Sequence, residues 1–551
     1  MLWAGSSLLI LLAWCDVATV WVAPAWMALV VAFSLIGRRL KLRDFAYQGH
    51  VLALATGIQL FAVNLYAQSA LERYLPFFGC AAAFYAISRF CTLRDAPYRR
   101  PAAWMYTWSA TALLAALAWN ESPQLWLAAI WPVFAIALAV IDRIFDVEEF
   151  PYQAHVLALL AVLRAVTLNL YTLDQWRGVD LRLLTVSILV AVLYALARWV
   201  RMPETVNARH AYTWVASALA AWLLWSELQP ISVALGLAIF GLVLFELGTW
   251  WQQKQIRLQA YTALTAAFAR IFFVNLTAAT LPGESVSPRI YTVVPIVLIF
   301  FFVWFQLQSD KAQPEIGRWS PRDLIAYFGT VCLGALLYFE TPVEWIVVAW
   351  AALTLVLVIA TWALDKEVFL QQAVLLTVGI VGRGIAHNIF GGSYFSSDGW
   401  RGNFAVLSIT SALLLAALPI TFRLRIRYID RPIESPLGRC LGLKRAEQWF
   451  FFAPVVLITI MIAVKMNPGM VTLSWGIEGV AVILLGLLVS QRSFRITGLF
   501  LLLLCVGKIV CLDAWRLSDT DRYITFIVLG AALTLVSWLY SRYRETVRRL
   551  L

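Results

Sequence analysis

Residues 151–171, PYQAHVLALLAVLRAVTLNLY, constrain this chain more than any other stretch, because the same apolar run keeps returning. Residues 46–66 read AYQGHVLALATGIQLFAVNLY, and weaker copies begin at Arg257 (RLQAYTALTAAFARIFFVNLT), Phe369 (FLQQAVLLTVGIVGRGIAHNIF) and Phe494 (FRITGLFLLLLCVGKIVCLDAW). About 20 apolar residues suffice for a helix to cross a bilayer. A recurrence at this period predicts a repeated architecture rather than one irregular core. Each copy holds one basic or amide residue deep in its apolar run: Gln59, Arg164, Arg270, Arg383 and Lys508. Five positions on stands an amide or acid: Asn64, Asn169, Asn275, Asn388 and Asp513.

The chain is 62% hydrophobic and only 13% charged, whereas soluble domains carry roughly 25% charged residues. Apolar runs follow one another from end to end, which predicts an all-α, polytopic transmembrane protein. The net charge of +12 lies mostly in short loops, where Lys and Arg set orientation, so nucleic acid is not an implied partner. The cysteines form no C-x-x-C pair and read as small buried hydrophobes, not as a disulfide frame or metal site. No basic region precedes the first apolar run, so no signal peptide is expected.

Four apolar segments, A to D, make one unit, and C is the recurring stretch. Segment A ends at Asp16, Glu121, Glu227 and Glu340, with Lys465 in the fifth unit; segment B carries Trp26, Trp131, Leu237, Trp350 or Trp475. Segment D opens just after Arg73, Arg182, Arg289, Arg401 or Arg522. The units cover approximately 1–91, 101–200, 209–307, 321–421 and 446–541, within one transmembrane domain of 1–551 and about twenty spans. From the end of A to the polar position of C is 43 residues in every unit, yet successive units step by 105, 106, 113 and 125. Loops absorb insertions and packed helices do not, so A, B and C are expected to pack in one fixed geometry. An even number of spans makes the units parallel. The Lys and Arg bias then puts both termini in the cytoplasm. The loop RLRIRYIDRPIESPLGRCLGLKRAE, from Arg423, is the richest in cations and reads as a topology anchor beside anionic lipid.

A cation inside a span is a functional candidate by default. One reading makes Gln59, Arg164, Arg270, Arg383 and Lys508 a row facing a shared cavity, binding an anionic headgroup or solute. The other makes them braces, paired with the acids that end segment A: Asp16 beside Gln59, Glu121 with Arg164, Glu227 with Arg270, and Glu340 with Arg383. In the fifth unit Glu478 or Asp513 would answer Lys508. Five residues turn a helix by about 500°, so the Asn positions should face away from the cations and simply end the helix. The arginines opening segment D read as interfacial anchors. His387 beside Asn388 offers a weak acyl-transfer pair; His50 and His155 are repeat equivalents with no second ligand nearby. There is no phosphate-binding loop, H-E-x-x-H or nucleophile elbow, so neither catalysis nor a cofactor is indicated.

The last unit adds a resemblance. Trp475, Arg495 with Gly498, Lys508, Asp513, Arg522, Gly530 and Tyr540, within residues 474–544, resemble a bacterial family of multi-repeat membrane proteins of unknown function. That resemblance implies an inner-membrane location and supplies no active site. The functional expectations are therefore three. The first is non-enzymatic binding or translocation of an anionic amphiphile or envelope precursor. The second is a structural scaffold for envelope protein partners, and the third is an intramembrane transferase. Membrane lipids are partners in each.

Overall fold

The computed structural model describes residues 2–91, 99–200, 208–278, 286–307, 320–390, 399–428, 433, 435–466, 468–509, 511 and 519–542. The chain divides into two compact units, Met1–Leu264 and Thr265–Leu551. The first contains α1 (Leu2–Asp16), α2 (Val22–Leu40), α3 (Arg43–Ala62), α4 (Ala70–Ala86), α5 (Arg99–Glu121), α6 (Leu127–Phe145), α7 (Phe150–Thr167), α8 (Leu181–Trp199), α9 (Ala208–Glu227), α10 (Val233–Trp250) and the start of α11 (Lys254–Arg270). The second contains α12 (Pro288–Leu307), α13 (Pro321–Glu340), α14 (Ile346–Leu364), α15 (Glu367–Arg383), α16 (Gly399–Ala416), α17 (Leu418–Tyr428), α18 (Pro436–Cys440), α19 (Glu447–Lys465), α20 (Pro468–Leu488), α21 (Arg492–Lys508) and α22 (Asp519–Arg542).

Thirteen stretches of the described residues are helical, long and apolar enough to cross a membrane. Their outer faces carry large bare hydrophobes such as Leu54, Ile58, Leu159, Leu163, Leu298 and Phe305. A surface of that kind is stable only with hydrocarbon as its solvent. The chain is a membrane-spanning helical protein. Two local features differ from what the sequence predicts. A two-stranded hairpin, β1 (Gln175–Trp176) with β2 (Val179–Asp180), precedes α8. Its turn places Arg177 at φ 52° and Gly178 at φ 82°, the paired left-handed residues that suit a tight antiparallel hairpin. The cation-rich stretch from Arg423 is also not all loop, because α17 runs to Tyr428. It buries Leu424, and its Arg425 guanidinium reaches the Glu447 carboxylate at 2.8 Å.

Segments B and C pack closely because small residues line their seam. In α7, Ala154, Ala158, Ala161 and Ala165 are all buried at helical spacing, facing the buried Ala128, Ala135 and Ala139 of α6. Small side chains let two backbones approach in lipid, where no hydrophobic force pulls helices together. Between α20 and α21 the backbones also come close. A Cβ added at Gly498 would stand 2.7 Å from the Gly479 carbonyl oxygen.

The corner between B and C is equally specific. Lys41, Asp146, Gln252, Asp365 and Ser490 have φ of 55°, 56°, 54°, 53° and 57°. Each sits just beyond the end of a segment B, in the left-handed conformation that terminates a helix. Their sequence steps are 105, 106, 113 and 125, identical to those of the polar positions in segment C.

Candidate functional site

The polar residues of segment C converge on the turn between A and B. In α3, Gln59 donates to the Thr19 carbonyl at 3.3 Å. In α7, Arg164 Nε donates to the Gln124 carbonyl at 2.9 Å, and its Nη2 to the Gln124 side-chain oxygen. In α15, Arg383 Nη2 donates to the Val343 carbonyl at 3.3 Å. Each of these backbone contacts joins residues 40 apart in sequence. The cations also lie over aromatic rings from the last turns of segment A. Arg164 is 4.8 Å from the Trp119 centroid, and Arg383 is 4.8 Å from that of Tyr338. Those rings stack in turn on the segment B tryptophans, Trp119 on Trp131 at 5.6 Å and Tyr338 on Trp350 at 6.1 Å.

The asparagines reach the next carbonyl of the same turn. Asn64 donates to Val20 at 2.7 Å, Asn169 to Leu125 at 2.7 Å, and Asn388 to Glu344 at 3.0 Å, all at a separation of 44 residues. All three, and Asn275, are fully buried. They do stand at helix ends, yet the expectation that they face away from the cations is overturned. The α-helix stops between the two positions. A 3₁₀ turn opens at Asn64 and at Asn169, and a wider π turn carries Asn275 and Asn388. Val63 and Leu168, just before the first two asparagines, leave helical dihedrals at φ −118° and −126°, and a π turn winds more slowly than an α-helix, so the ideal helical angle holds in neither case.

The expected ion pairs are corrected in the same way. Glu121 pairs with Arg73 at 2.7 Å, Glu227 with Arg182 at 2.7 Å, and Glu340 with Arg289 at 3.4 Å. The acid ending each of these A segments is therefore held by the arginine opening the preceding D, not by the cation of its own C. Arg73, Arg182 and Arg289, expected as interfacial anchors, are thus the partners of these acids. The start of D lies beside the end of the following A, whereas Arg164 is already engaged by the A–B turn. Asp16, at the end of α1, is exposed. In the fifth unit Lys508 donates to Thr472 Oγ1 at 2.8 Å, while Glu478 accepts from Thr459 Oγ1 at 2.8 Å. Arg270 ends α11 half-buried, and Asp513 lies outside the described residues, as do the side chains of Arg401 and Arg522.

One set of residues was missed. Gln48, Gln153, Gln259 and Gln372 accept hydrogen bonds from Ser6, Thr111, Ser217 and Thr330 of segment A, at 2.6 to 2.8 Å and always 42 residues apart. The signal was present in the four copies of segment C that carry it. Each glutamine precedes the cation position by eleven residues, about three full turns, and so shares its helix face. His50 and His155 bond the hydroxyls of Tyr106 and Tyr212 at 2.7 and 2.6 Å, so they join segment C to the next A.

Residues 412–543 match a family of predicted membrane proteins, DUF2339. The matched stretch runs from the end of α16 into the last described residues, and it takes in Lys508, Glu478 and nearly all of the span that carried the resemblance. No curated protein and no solved structure matches the chain.

Proposed function

We propose that this chain is a non-enzymatic scaffold of the bacterial inner membrane, built from five parallel copies of one braced A–B–C block with both termini in the cytoplasm. The observation that carries the reading is the use made of the buried cations. Arg164 is 6% exposed, and its guanidinium is shared between two oxygens of Gln124 and the Trp119 ring. A group so occupied holds helices in register and has little left to offer a solute. The five left-handed B–C corners, with steps matching those of segment C, support the five-copy reading. A rigid platform of this kind would present its loops to envelope proteins.

The amphiphile-binding reading is favoured at one position. Arg383 is half-buried and its Nε lacks a hydrogen-bond partner among the described residues. The transferase reading draws no support from the geometry, since the Asn388 amide is engaged by the Glu344 carbonyl. The double variant Arg164→Leu/Arg270→Leu separates the first two. The scaffold reading expects loss of folded, monodisperse protein. A folded variant that has lost only a co-purifying anionic lipid would overturn it.

A further inference from the structure

α13, α14 and α15 line an open groove of about 410 Å3. Its wall is apolar and aromatic, with Val331, Tyr338, Trp350, Leu375 and Leu376 prominent. Val331 and Leu375 are 44% and 38% exposed, so the mouth opens sideways toward lipid. From Tyr327 to Tyr338 the groove follows α13 for about 16 Å, at 1.5 Å per residue.

Gln372 and Thr330 interrupt this wall. Gln372 is 3% exposed, its oxygen accepts from Thr330 at 2.8 Å, and its Nε2 has no hydrogen-bond partner among the described residues. A buried donor left unmade calls for an explanation. The comparable amide of Gln259 is satisfied, because its Nε2 donates to Thr213, 46 residues earlier, at 2.9 Å. The residue 46 before Gln372 is Ala326, which has no hydroxyl. The amides of Gln48 and Gln153 are likewise without a partner among the described residues, and Gln372 is the one of the four seen to line this groove.

We propose that this groove takes one acyl chain of a glycerolipid, whose ester carbonyl accepts from Gln372 Nε2. Gln372 lies five residues into α15, about 8 Å along the helix. The interfacial layer of a bilayer is roughly 6 Å deep on each side, so ester groups lie near that level. From there the chain runs past Leu375, Leu376 and Gly334 toward Tyr338. Gly334 is the point at which the groove can be closed, because a Cβ added there meets nothing within 4 Å. The inference does not depend on the scaffold reading.

The test offers the full-length protein nanodiscs of equal parts diester and diether phosphatidylglycerol with matched chains, then counts retained lipid by native mass spectrometry. The ether lipid keeps the headgroup and chains and lacks the carbonyl. Wild type should retain the diester about fivefold over the diether, the ratio one ordinary hydrogen bond supplies. Gln372→Met should bring that ratio to about one, while Gln259→Met leaves it unchanged. Gly334→Leu should lose the retained lipid with an unchanged melting temperature, and it decides the matter even if Gln372→Met folds poorly. Equal retention of the two lipids by wild type, or undiminished retention by Gly334→Leu, overturns the proposal.

Discussion

Arg164→Leu tests the brace most directly. The substitution removes the guanidinium bonds to the Gln124 carbonyl at 2.9 Å and to its side-chain oxygen, together with the 4.8 Å contact with Trp119. Hydrogen bonds to charged groups are worth about 1.5–3 kcal/mol in soluble proteins, but polar contacts between membrane helices average only about 0.6 kcal/mol. Taking roughly 1 kcal/mol for each of the two bonds and a similar value for the cation–π contact gives a loss of about 3 kcal/mol. Leucine also removes an insertion penalty of about 2.5–3.5 kcal/mol. That penalty applies equally to the unfolded chain whose helices remain in the bilayer, so it cancels to first order. Arg164→Gln is the internal control, because Gln59 occupies the same position in α3 and reaches the Thr19 carbonyl. It keeps one donor and should lose only about 1–2 kcal/mol. Unfolding by SDS in mixed micelles, followed by tryptophan fluorescence, measures both. A leucine variant as stable as wild type, or a glutamine variant as damaged as the leucine one, refutes the reasoning.

The clip between Arg182 and Glu227, 12% and 17% exposed, should show a coupling of about 1 kcal/mol in a double-alanine cycle; zero coupling would make it a bystander. Asn169→Ala removes bonds to Leu125 and Thr185 and should lower stability by about 1–2 kcal/mol, read from the same SDS titration. Glu149, in the loop between α6 and α7, has its carboxyl pushed above the usual range chiefly by burial, with the Glu148 charge adding to the shift. Its folded form thus holds the proton more tightly than its unfolded form, so stability falls as pH rises from the ordinary carboxylate value through the raised one. Glu149→Gln should match wild type in melting temperature near pH 4 and exceed it near pH 7; a difference that does not change with pH would contradict the assignment.

The amino-acid order alone determined the class of fold and the places that matter. An apolar run of about 20 residues is helical in lipid whatever surrounds it, because its backbone groups have no other partners. A constant spacing likewise announces a block that tolerates no insertion. The 43-residue interval from the end of A to the middle of C is now accounted for by bonds at separations of 40, 42 and 44. What the tertiary structure decided was partnership. Arg164 faces an acid within reach by sequence logic, yet the Gln124 carbonyl lies nearer, and Glu121 turns to Arg73. Asn169 comes round to its carbonyl because the backbone leaves helical geometry at Leu168, φ −126°. A side chain bonds whatever lies within about 3 Å of it, and that distance is set by how separate helices pack, which no single segment encodes.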